Sequence, residues 1–145
     1  MKNVIISVLA IVSFMALSCG QAENTNAVNA KNPQEQKSGT FKNVTVSDLN
    51  WAMSTSDEFT ILDVRTPGEL TQGYVENAVN MDVNNSNFRS EAASLDKDKT
   101  VYVYCRSGIR SQNASKILIE LGFSDVRNVE GGFTAWLQKG YKIVK

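Results

Sequence analysis

The stretch from Val101 to Leu121 constrains this chain more than any other. Val101-Tyr102-Val103-Tyr104 is a run of strand-forming residues that leads straight into Cys105. Arg106, Gly108 and Arg110 follow, and from about Ser111 the apolar residues Ala114, Ile117, Leu118 and Leu121 recur at helical spacing. The order is strand, tight loop, helix. A loop that opens a helix directs backbone N–H groups into its hollow, and the positive end of the helix dipole favours an anion there. Cys105 as a thiolate would be that anion, with Arg106 and Arg110 lowering its pKa further. A buried, inert cysteine beside two solvated arginines is the other reading, and this stretch alone leaves both open.

The rest of the chain supplies more units of the same kind. Val44 and Val46 alternate with polar residues as in a short strand, and Ser47 is placed to cap a helix carrying Leu49, Trp51, Ala52 and Met53, with Trp51 in the core. Phe59 to Arg65 is a compact apolar run, and Pro67 fits the first turn of a short helix. Ala78 to Met81 reads as a strand and Asn84 to Ser94 as a polar helical segment. Gly122 caps the long helix, Asp125 to Val129 is a further strand, and Gly131-Gly132 opens a last helix that Gly140 ends. Alternating strands and helices over about 100 residues predict an α/β fold with a mostly parallel sheet and helices on both faces. Ligands in such sheets bind beyond the carboxyl ends of the strands, where Cys105 stands.

The folded domain is expected over residues 41–145. Residues 1–18 carry Lys2, an apolar run from Val4 to Leu17 and small residues before Cys19, the pattern of a secretory signal peptide. Ala16-Leu17-Ser18-Cys19-Gly20 resembles a bacterial lipobox, with Ala16 where the best form has leucine. That resemblance implies a lipid on Cys19 and a product anchored to the cell envelope, facing the periplasm. Ala16 and Ser18 also suit an ordinary signal peptidase, which would release a soluble exported protein. Residues 19–40, poor in large apolar side chains, read as a flexible tether with a reach of about 25 Å.

Fifteen basic residues balance fifteen acidic ones, so no net field draws the chain to nucleic acid. Histidine is absent, which removes Ser-His and Cys-His catalytic pairs and every histidine metal site. With Cys19 lipidated or removed, Cys105 is the only thiol, so neither a metal site nor a resolving-cysteine cycle is expected.

Three separated motifs agree with a known family. They are Leu62-Asp63-Val64-Arg65 with Glu69, Gly73 and Ala78-Val79-Asn80 behind it; Cys105-Arg106-Ser107-Gly108-Ile109-Arg110-Ser111; and Gly131-Gly132-Phe133 with Trp136. Together, from Val44 to Tyr141, they resemble a single-domain rhodanese. The resemblance implies a three-layer rhodanese-like fold and a thiosulfate-type sulfurtransferase that needs no cofactor. Cys105 would take a sulfane sulfur as a persulfide and pass it to cyanide or a thiol. Arg106, Ser107, Gly108, Ile109 and Arg110 would line the pocket for the anionic donor. Asp63 is expected to brace the loop by accepting N–H bonds, and Arg65 to pair with Glu69. The domain itself is expected to be monomeric. Tyr74 stands where the family usually has histidine. A phosphatase of related fold would have a loop one residue longer and arginine in place of Ser111. A persulfide carrier or sensor with little turnover is the remaining alternative.

Overall fold

The computed structural model describes residues 39–56 and 58–145. The proposed leader, Cys19 and all but the last two residues of the proposed tether lie outside them. Five strands form one wholly parallel sheet: β1 (Lys42–Val44), β2 (Phe59–Asp63), β3 (Ala78–Asn80), β4 (Thr100–Tyr104) and β5 (Val126–Val129), in the order β1-β5-β4-β2-β3. The helices are α1 (Val46–Thr55), α2 (Phe88–Ala92), α3 (Ile109–Glu120) and α4 (Gly132–Gln138), with a 3-10 helix at Pro67–Gln72.

Strand periodicity divides the core in two. Val101, Val103 and Cys105 pack with Leu62, Val64, Phe88, Ala114 and Leu118 on the α2/α3 face. Tyr102 and Tyr104 point the other way, to Ile61, Leu49, Phe133 and Trp136 beneath α1 and α4. The described domain is therefore three-layered, as expected, and β4 lies at the centre of its sheet with partners on both sides.

Local departures from expectation have local causes. Thr45, not Ser47, caps α1: its hydroxyl accepts the Asp48 N–H while Asp48 accepts the Thr45 N–H at 2.7 Å. That reciprocal box draws Val46 out of the strand and into the first helical turn. Trp51 is not core but 68% exposed. Val46, Leu49 and Ala52 form the buried stripe of α1, and Trp51 falls on the opposite face of the turn. The segment Asn84 to Ser94 is helical only over α2, because the side chains of Asp82 and Asn85 accept the N–H groups of Asn84 and Asn87 and favour turns. Trp136 is buried, and its indole N–H donates to the Lys142 carbonyl at 3.0 Å.

Candidate active site

Because β4 ends at Tyr104 and α3 starts at Ile109, only four residues connect them. Gly108 makes that possible. Its φ of +99° turns the chain into the helix, and a Cβ there would lie 3.2 Å from the Gly131 nitrogen. The Cys105 side chain is buried under this turn, accepting the Gly108 N–H at 3.1 Å, with the Ser111 hydroxyl 3.6 Å away. Burial pushes the thiol pKa up, but the Ser111 N–H, the Ser111 hydroxyl and the N–H groups of Ser107 and Gly108 outweigh it. The net effect lowers the pKa. The expected amide cradle is therefore present.

The two arginines differ. Arg106 is exposed and its guanidinium makes no hydrogen bond or ion pair among the described residues, so it is available to an anion. Arg110 is clamped: its two terminal nitrogens each donate to Glu69 at 2.7 Å. Arg110 holds the Glu69 carboxyl down at about 2, so this partner is ionised at any working pH. The charge that was expected to lower the Cys105 pKa from Arg110 is thus largely answered by Glu69. Loop amides and the Ser111 hydroxyl do that work instead. Ile109, at the same mouth, is 76% exposed.

Neither expected role of the β2 pair is found. Arg65 does not meet Glu69 but turns back onto Asp63, with its Nη2 2.6 Å from one carboxylate oxygen and 2.9 Å from the Gly73 carbonyl. Asp63 accepts no loop N–H; its other partners are the Arg65 N–H and the Tyr104 hydroxyl, the latter at 2.6 Å. Register explains this. Asp63 pairs with Tyr104 across the sheet, so both side chains point to the α1/α4 face, away from the Cys105 side chain.

The loop is braced from α4 instead. The Phe133 N–H donates to the Cys105 carbonyl at 2.8 Å and the Thr134 N–H to the Arg106 carbonyl at 3.0 Å. Gly132, expected only to turn the chain, makes this approach possible, since a Cβ on it would lie 2.3 Å from the Cys105 carbonyl oxygen. Arg65 reaches the same place from below, with its guanidinium carbon 4.1 Å from the Phe133 ring centre. Tyr74 contributes its backbone, pairing in both directions with Val144 at 2.9 Å.

Two residues of the site are given no role at the sulfur by the sequence motifs. Ser111 touches the sulfur, and buried Asn128 on β5 accepts the Ser111 hydroxyl at 2.7 Å. Ser111 had a signal: it lies one helical turn inside the loop, at the third residue of α3, where a first-turn N–H is unpaired. Asn128 had only its polarity amid a strand.

A cysteine whose pKa is lowered by converging N–H donors, with an exposed arginine beside it in the loop, is equipped to attack a small anionic electrophile. Comparison with known proteins matches residues 45–139 to the rhodanese-like domain. The chain belongs to the rhodanese-like domain family. The "Sulfurtransferase" of Allochromatium vinosum is 33% identical over 96 residues, 66% of this chain and 88% of that protein. The thiosulfate sulfurtransferase GlpE of Shewanella oneidensis is 36% identical over 96 residues, 66% and 92% of the two chains. Among solved structures, a rhodanese-related protein from Thermoplasma volcanium matches with a TM-score of 0.63 at 35% identity, over 72% of this chain and 98% of that one. A rhodanese-like domain protein from Staphylococcus aureus matches equally well, with a TM-score of 0.63 at 31% identity over 72% and 100%. In this rhodanese domain, as in the sequence motif, the cysteine loop lies at the carboxyl end of the central strand.

Proposed function

We propose that the protein is a sulfurtransferase that carries sulfane sulfur on Cys105, with thiosulfate or a related anion as donor. The observation that supports this most is the Cys105 sulfur beneath the Gly108 and Ser111 donors, with its pKa lowered. The thiolate attacks the outer sulfur of thiosulfate, an S–S bond forms on Cys105, and sulfite leaves with the electron pair of the broken bond. The same N–H donors stabilise the persulfide anion. Cyanide or a thiolate then attacks the terminal sulfur, and the Cys105 thiolate is the leaving group.

Two features favour this over phosphoryl chemistry. The position six residues after the cysteine holds Ser111, whose hydroxyl faces the sulfur, and no arginine. Arg110, one place earlier, has its guanidinium engaged by Glu69.

The test is sulfur loading followed by turnover. After thiosulfate, the peptide carrying Cys105 should gain the mass of one sulfur atom, and cyanide should discharge it as thiocyanate over many cycles. Loading without repeated discharge would favour a carrier. Absence of both, together with hydrolysis of an aryl phosphate, would favour the phosphatase.

We further propose that the domain works at the cell envelope, tethered through a lipid on Cys19. The apolar run before that cysteine and the small residues beside it support this. Radiolabelled palmitate should enter the wild-type chain and not the Cys19→Ala variant. Export of the wild type without label would show a soluble product instead.

A further inference from the structure

The Ser111 hydroxyl has one proton and three acceptors. Asn128 Oδ1 lies at 2.7 Å, the Gly108 carbonyl at 3.0 Å and Cys105 Sγ at 3.6 Å. Asn128 in turn donates from Nδ2 to Asn43 Oδ1 on β1 at 2.9 Å. In this arrangement the Asn128 carbonyl oxygen competes with the sulfur for the proton. A half-turn of the Asn128 amide exchanges its oxygen and nitrogen without moving their positions. Nδ2 then donates to Ser111 Oγ, and the hydroxyl proton is released toward the sulfur. Oδ1 then faces Asn43, whose exposed amide can turn to donate to it. Each hydrogen bond between the amides and the hydroxyl survives in either sense. The difference between the two senses is whether the sulfur or Asn128 receives the Ser111 proton.

We propose that Asn128 and Asn43 are positioning residues that steer the Ser111 hydroxyl proton between Asn128 and Cys105, and so set how readily Cys105 becomes a thiolate. The register places them for it. Asn43 and Asn128 are direct partners across β1 and β5, and Asn128 shares the α3 face of the sheet with Val126. The charged group that acts on the sulfur is Arg110 on α3, with Glu69 of the 3-10 helix and Asp82 after β3 facing Arg110, and Arg106 stands next to Cys105 in the loop. None belongs to the amide chain. The inference rests on Cys105 acting as the nucleophile, as proposed above, but its test uses no sulfur donor, so the two can fail separately.

The experiment follows iodoacetamide alkylation of the full chain against pH, read on the peptide that carries Cys105. Ser111→Ala should raise the midpoint, leaving about tenfold less thiolate at a fixed pH below it, and Ser111→Thr should restore it. Asn43→Asp, at an exposed edge, offers acceptors only. It should hold Asn128 in the sense seen here, Nδ2 outward and Oδ1 on Ser111, and so remove the thiolate that the turned sense contributes in the wild type, leaving about threefold less. That effect should persist at 1 M salt, where a through-space charge effect is screened, and should vanish in the Ser111→Ala background. An unchanged midpoint in Asn43→Asp would overturn the proposal. So would a rise that salt abolishes, or one of equal size with and without Ser111.

Discussion

Cys105→Ser is expected to transfer no measurable sulfur, with thiocyanate formation at least about a thousandfold below the wild type. The substitution changes one buried atom and leaves the N–H cradle in place, so the unfolding midpoint should barely move. The loss is chemical. Loop amides can lower a thiol pKa into a useful range, but a serine hydroxyl starts far above it and needs a base to be activated. The chain contains no histidine, and the Glu69 carboxylate that meets the loop's side of α3 is held by Arg110. A serine oxygen also cannot form the S–S bond that a persulfide requires. Residual turnover within tenfold of wild type would mean that sulfur passes directly from donor to acceptor, and the covalent mechanism would have to be abandoned.

Arg65→Met should cost about 3–5 kcal/mol of stability, because it strands the buried Asp63 carboxylate. Arg65 is 1% exposed and Asp63 is fully buried. Their mutual charge is taken up by three hydrogen bonds from the guanidinium. Without it, Asp63 retains only the Tyr104 hydroxyl and one N–H. A fall in Tm of about 15 °C or more is the corresponding thermal result. Urea unfolding gives the direct measurement. Because the lost guanidinium also lies against Phe133, whose N–H holds the Cys105 carbonyl, the loop should loosen with the core. Arg65→Lys keeps the charge but not the fork and should fall between the two. A cost under about 1 kcal/mol would show that water or another group reaches Asp63, contrary to its burial.

Both predictions depend on distinguishing what the sequence encodes locally from what packing adds. The βα unit around Cys105 was legible because every part of it is contiguous: strand formers, a glycine turn and helical periodicity. Gly122 and Gly140 were legible as helix ends for the same reason. Trp51 was misplaced because hydrophobicity alone does not say which side of a short helix meets the sheet. Arg65 is expected beside Glu69, its acidic neighbour in the same motif. Arg65, however, follows a strand and turns back on it, while Glu69 looks across to α3.

The amino-acid order by itself determined the parallel α/β fold, through the alternation of strands and helices along the chain, and the position of Cys105 at a strand end and its amide cradle, which are set by residues within a few positions of one another. Sheet order decided the rest. Glu69 meets Arg110 and Asp63 meets Tyr104 across 41 residues in each case, and Asn43 reaches Asn128 across 85. Such pairs form only when parallel strands stack in register, and alternation then sends neighbouring side chains to opposite faces. That is why Asp63 serves the core beneath the loop, α4 holds the loop's carbonyls, and an asparagine from β5 stands beside the serine that touches the sulfur.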